Sequence, residues 1–335
     1  MQNLNKSFIT IFSVSLLVNI LISNGVFGMY RDTDGSIIRL ADPTIFYHKD
    51  IYYLYGTGGD KDTNQGFVVY TSSDLKSWKG PVGVSEGYAL KKGDAFGDKG
   101  FWAPQVFFHK NKFYMAYTAN EQIAIAISDS PLGPFKQDIK KPLIDQKRNI
   151  DPFVFIDDNG KKYLYHVIVA NGGNRIFVAE LKKDLSKIRD KTLTKCVEAD
   201  TLWENTEKAK WSVVEGPTVI KKNGLYYLIY SANDFRSPDY AVGYAVSKSP
   251  VGPWKKYSGN PGLSKHNTGV NGSGHGDLFK DKKDNWWYVF HTHYSESKVG
   301  PRKTALVKSG FDFDSNIKFE ASTFNYLYLN QVNVE

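Results

Sequence analysis

The segment GPTVIKKNGLYYLIYS, residues 216–231, is the unit from which this chain is built. A small residue and a proline open it, a short apolar run follows, Asn223-Gly224 marks a turn, and an aromatic run returns. Asn-Gly tolerates the positive φ that a tight hairpin demands, so the segment reads as two antiparallel strands. Four other segments follow the same plan: DPTIFYHKDIYYLYGT from Asp42, APQVFFHKNKFYMAYT from Ala103, DPFVFIDDNGKKYLYHV from Asp151 and GDLFKDKKDNWWYVFHTH from Gly276. The five starts lie 61, 48, 65 and 60 residues apart.

Most units then supply another strand ending in a polar turn: FVVYTSSDLKSW, IAIAISDSPLGPF, IFVAELKKDLSKI and VGYAVSKSPVGPW, with TALVKSGFDF after the fifth hairpin. A hairpin extended by outer strands is one blade of antiparallel sheet. Five of them predict an all-β, five-bladed β-propeller in which each blade packs only on its neighbours. A β-sandwich would not require five matching hairpins at this period. No linker or low-complexity tract divides residues 29–335, so they read as one domain. The tail IKFEASTFNYLYLN is expected to add closing or outer strands.

The first 28 residues have a different character. Lys6 gives a charged start, Phe8 to Ile22 an apolar run, and Ser23 to Gly28 a small-residue exit, the pattern of a secretory signal peptide. A membrane span would need about 20 apolar residues and a charged stop. Export to the periplasm or the medium is therefore expected, with no membrane span in the mature chain. The single cysteine, Cys196, cannot form an intrachain disulfide, so stability must come from packing. The net charge is +8, yet no Lys/Arg run exceeds three, which argues against a nucleic-acid partner. The balance fits an acidic polysaccharide or simple solubility.

The chemistry concentrates at the repeat starts. In WSVVEGP, residues 211–217, Glu215 lies among apolar neighbours; desolvation disfavours its charged form and raises its pKa, as a general acid requires. Asp42 and Asp151 stand at what look like corresponding places. The first strand of each propeller blade lines the axis, so Asp42, Trp102-Ala103, Asp151, Glu215 and His275 should converge on one central pocket. Pro43, Pro152 and Pro217 should hold the preceding residues extended. An ionised carboxylate, a protonated one and an aromatic wall are what hydrolysis of a glycosidic bond needs.

RLADPTIF, FWAPQV, NIDPFVFIDDNGKKYLYHV, VVEGPTVIKKNGLYYLIYSAND and GSGHGDLF together resemble glycoside hydrolase family 43, in order and over most of the chain. The resemblance implies a five-bladed propeller and an inverting mechanism. It implies Asp42 as general base, Glu215 as general acid, and Asp151 as the group that tunes the acid and positions substrate. Base and acid would then stand about 6.5–9.5 Å apart, leaving room for water. It further implies a calcium ion, largely hydrated, beside His275 in the central channel, and Arg302 directed at the sugar. Trp102 is expected as a flat wall for a sugar ring, and Asn233 and Trp211 as pocket lining. The family's usual substrates are α-L-arabinofuranosides and β-D-xylosides of plant polysaccharides, and we expect a monomer that trims such units. An endo-acting arabinanase and a non-catalytic sugar-binding propeller are the alternatives. Gly80–Gly100 and Ala232–Tyr240 are the expected rims of the cleft.

Overall fold

Each repeat folds as its turn chemistry dictates. In the computed structural model, which describes residues 36–59 and 64–330, the strands group into five antiparallel blades that follow one another along the chain, the third and fourth joined by a short parallel pairing. In the first blade Ala41–His48 pairs with Ile51–Thr57, which pairs with Tyr70–Ser72. The second comprises Trp102–His109, Lys112–Ala119 and Gln122–Ser128. Asn149–Ile156, Lys162–Ala170, Gly173–Glu180 and Thr194–Val197 make the third. Ser212–Lys222, Leu225–Ala232, Ala241–Ser247 and Lys255–Lys256 make the fourth. Gly274–Lys280, Trp286–Thr292, Lys303–Phe311 and Ile317–Tyr326 make the fifth, so the tail does provide its outer strand. The signal peptide expected at 1–28 lies outside the described residues. Among the described residues no helix is long and apolar enough to cross a membrane.

The blades close into a ring. The inner strand of each packs on the next, and the fifth returns to the first. Five apolar clusters fill the five seams between them, and the aromatic strands explain how. Side chains alternate across a strand, so Tyr53 and Tyr55 enter the seam with the second blade while Tyr52 and Leu54 enter the seam with the fifth. Tyr227 and Ile229 likewise face the fifth blade, and Leu228 and Tyr230 face the third. A strand buried on both faces must be apolar at every position, which is why these runs do not alternate with polar residues. Burying each such ring contributes about 1.5–3 kcal/mol.

Residues 36–40 and 327–330 complete the ring. Ile38 N–H donates to Leu327 O at 2.8 Å, Thr304 N–H to Ile38 O at 3.0 Å, and Asn330 N–H to Trp78 O at 2.8 Å. Tyr328 and Leu329 also run parallel to Ser77 and Trp78 of the first blade. In Gly80–Gly100, expected as a rim of the cleft, Tyr88–Lys91 pairs with Gly66–Val68 and Ala89 and Leu90 lie in the seam between the first two blades, while Val82 and Val84 stay exposed and no residue of the segment borders the central cavity.

Candidate active site

All five inner strands break register at the same place, between Ala41 and Thr44, Trp102 and Gln105, Ile150 and Phe153, Glu215 and Thr218, and Gly274 and Gly276. At each break one residue takes a positive φ: Asp42 at 47°, Ala103 at 45°, Asp151 at 53°, Gly216 at 61° and His275 at 42°. The prolines therefore do not hold these residues extended, as the sequence suggested. A β-bulge overrides the preference, and bulges recur beside active sites because they re-aim side chains. The bulges also fix which residues correspond. Gly216, not Glu215, corresponds to Asp42 and Asp151, and Glu215 shares its position with Ala41, Trp102 and Ile150. Gly216 is required: a Cβ there would stand 2.8 Å from the His275 ring.

The backbone N–H at four of the five bulges reaches the second strand of the preceding blade. Ala103 donates to Thr57 Oγ1 and Asp151 to Thr118 Oγ1, both at 2.9 Å; His275 donates to Ser231 Oγ at 2.7 Å and Asp42 to His291 Nδ1 at 3.1 Å. The third blade has Val167 at the corresponding position, which cannot accept. Gly216 N–H donates instead to Asp151 Oδ2 at 3.2 Å. The Thr and Ser that end YLYGT, YMAYT and YLIYS are thus inter-blade latches.

Two layers result. Above, a cavity of about 660 Å³ is bordered by Asp42, Asp151, Glu215, Trp102, His275 and Arg302. Below, an axial channel of about 30 Å³ is lined by the next ring of side chains, including Thr44, Gln105, Thr218 and Asp277. Asp42 is 8% exposed. Its Oδ2 accepts from Thr57 Oγ1 at 2.6 Å, and its Oδ1 stands 3.1 Å from Arg302 Nη1 and 3.3 Å from His275 Nδ1. Burial would raise its pKa, but Arg302, the neighbouring imidazoles and the Thr57 bond outweigh it and hold the carboxyl far below the usual range. Burial depresses both His275 and His291, so Arg302 supplies the lasting positive charge at neutral pH.

Glu215, also 8% exposed, has different company. Tyr240 donates to its Oε1 at 2.9 Å and Asn174 Nδ2 to its Oε2 at 3.1 Å. Burial pushes its pKa up to about 7, assisted by the charge of Asp42 and opposed by those two bonds. Asp151 is also raised, by burial and then by the charges of Glu215 and Asp42. Such a pair titrates as a unit, and at neutral pH it retains a proton beside an ionised Asp42.

Trp102, Arg302 and His275 border the cavity as expected. Arg302 is committed to Asp42 on one side and lies 4.8 Å over the Phe235 ring on the other. Asn233 does not line the cavity. Its Oδ1 accepts from Thr206 N–H at 2.9 Å, and its Nδ2 donates to Trp203 O and Asp239 O at 2.8 and 2.9 Å. These bonds fix the loop whose Asp234, Phe235 and Arg236 form one wall, as expected of Ala232–Tyr240. The sequence reading missed Tyr240, Asn174, His291 and Asp277. Only His291 carried a signal, through its match to Thr57 in the repeat.

Among the described residues no group of three His, Cys, Asp or Glu side chains is arranged to hold a metal ion. His275 Nδ1 faces Asp42 and, at 3.9 Å, Asp151 Oδ2. A calcium ion here would take most of its ligands from water, and no step below runs through one.

Asp277 accepts from Thr44 Oγ1 at 2.6 Å, and burial pushes it from an ordinary 3.8 to about 6. A carboxyl raised on folding favours the folded state while protonated and loses that advantage as pH rises through about 6. Asp277→Asn should therefore stabilise the protein at pH 7.5 by about 1–2 kcal/mol and change little at pH 4. Thermal unfolding in chelator-containing buffer at the two pH values checks this; equal losses at both would refute it.

A five-bladed propeller that brings a carboxyl held towards ionisation and another pushed towards protonation to a single cavity has the layout of an acid–base hydrolase. The chain belongs to glycosyl hydrolases family 43, whose model matches residues 36–315; it is a glycosidase. Its fold is similar to a crystal structure of endo-1,4-beta-xylanase from Bacteroides thetaiotaomicron, with TM-score 0.81 and 40% identity over 88% of this chain and 99% of that one. It is 27% identical to an arabinoxylan arabinofuranohydrolase of Bacillus subtilis over 86% of this chain, spanning 61% of that protein. It is 25% identical to a beta-D-galactofuranosidase of Aspergillus niger over 76% of this chain and 74% of that protein.

Proposed function

We propose that the protein is an exported, inverting glycosidase that removes α-L-arabinofuranosyl or β-D-xylosyl units from plant hemicellulose or pectin side chains. Asp42 is the general base, Glu215 the general acid, and Asp151 the carboxyl that tunes Glu215 and orients the sugar. One observation carries the reading: two carboxyls of one cavity are driven in opposite directions, Asp42 towards ionisation and Glu215 towards protonation. Environments that separate pKa values in this way assign acid and base roles. Asp42 takes a proton from water as the water attacks the anomeric carbon. Glu215 gives its proton to the glycosidic oxygen as that bond breaks, and Tyr240 and Asn174 then stabilise the carboxylate left behind.

Trimming of single units is favoured by the wall that closes one side of the cavity. Phe235 lies beneath Arg302, and its carbonyl accepts from His293 Nε2 at 2.8 Å. The similar endo-1,4-beta-xylanase of Bacteroides thetaiotaomicron supports the other reading, cleavage within a chain. Digests of arabinan, arabinoxylan and xylan separate them. Monosaccharides from the earliest times are expected; oligosaccharides without monosaccharide would establish internal cleavage.

A further inference from the structure

Trp211 is 43% exposed and directly precedes the inner strand that carries Glu215. Its indole N–H donates to Asn174 Oδ1 at 3.0 Å. That bond decides which way the Asn174 amide faces, turning its NH2 group to Glu215 Oε2. Asn174 is held in place by the short parallel pairing of Gly173 and Asn174 with Ser212 and Val213, where the third blade meets the fourth. Asn174 and Glu215 border the cavity, while Trp211 stands beside it on the Glu215 side.

The oxygen that accepts a proton must lie within hydrogen-bond reach of the acid. The departing part of the substrate therefore leaves past Glu215, towards Asn174 and Trp211. We infer that Trp211 serves this leaving side twice: its N–H orients the Asn174 amide that holds Glu215, and its exposed ring is the platform for the departing sugar of a polysaccharide. An indole suits both tasks, having an apolar face and one polar edge. Neither of the other aromatics at the cavity is placed for them. Trp102 forms the wall against Gly100, and Phe235 lies under Arg302. Trp211 is thus a positioning and specificity residue, and this role rests on Glu215 being the acid.

The test compares Trp211→Phe, Trp211→Ala and Glu215→Gln on arabinoxylan and on the matching glycosyl fluorides. Fluoride leaves without a proton and is too small to reach the platform. Trp211→Phe keeps a ring but loses the N–H, so the basic limb of kcat/KM on arabinoxylan should move to higher pH as the carboxylate loses an aligned donor. Its KM should stay within about twofold. Trp211→Ala should in addition raise KM for arabinoxylan roughly fivefold or more and leave KM for the fluoride unchanged. An unmoved limb in Trp211→Phe overturns the positioning role, and an unmoved KM in Trp211→Ala overturns the platform. Glu215→Gln keeps the two levels apart. Loss on arabinoxylan with the fluoride still turned over upholds the acid assignment, whereas equal effects on both substrates would remove the premise.

Discussion

Glu215→Gln should lower kcat/KM on arabinoxylan and xylan by about 10²–10⁴, the range that a positioned general acid contributes. Glutamine preserves the size of the side chain and most of its contacts with Tyr240 and Asn174, so sugar binding should survive. The pH profile supplies the stronger check. The acid works only while protonated, so wild-type kcat/KM should fall as pH rises through about 7, where burial has moved the Glu215 carboxyl. Glu215→Gln should lose that basic limb. A variant that kept both the rate and the limb would show that the proton comes from elsewhere.

Asp42→Asn should cost a similar 10²–10⁴, but on every substrate, glycosyl fluorides included. Water must be activated whatever the leaving group, so a better leaving group cannot replace the base. A second effect follows from the charge that Asp42 places near Glu215. Removing it should lower the Glu215 pKa and move the residual basic limb down, since that charge is among the causes holding it up. Arg302 would also lose its carboxylate partner, 3.1 Å away. Steady-state kinetics across pH 4–9 on a fluoride and on arabinoxylan measure both effects. Normal turnover of the fluoride by Asp42→Asn would exclude Asp42 as the base.

The fold was readable because five hairpins share a polar turn and an aromatic return strand, and a ring of such repeats has few alternatives. The convergence of Asp42, Asp151, Glu215 and His275 followed from that periodicity. What escaped was anything set by one residue of backbone. The repeat starts already set Gly216, one residue past Glu215, against Asp42, but neither hairpin pattern nor proline preference reveals a positive φ at an aspartate. Tyr240 and Asn174 were hidden for another reason. Each lies on a strand or loop outside the repeated hairpin: Asn174 meets Glu215 where the third blade packs on the fourth, and Tyr240 reaches it from the loop before Ala241–Ser247 of the same blade. Asn233 looked like pocket lining because it sits beside Asp234, yet its amide is consumed by Thr206, Trp203 and Asp239. The Thr and Ser closing the second strands were visible in every alignment of the repeats, but their role as latches needs the neighbouring blade to be in place.

The central claim is that Asp42 and Glu215 act across a water molecule on opposite faces of one sugar. Following the anomeric signals of the first product by proton NMR, before mutarotation, tests it most directly. An α-L-arabinofuranoside should yield the β-anomer first, and a β-D-xyloside the α-anomer. First product with the substrate's own configuration would mean a covalent glycosyl-enzyme intermediate, and would contradict the assignment of Asp42 as the base that activates water.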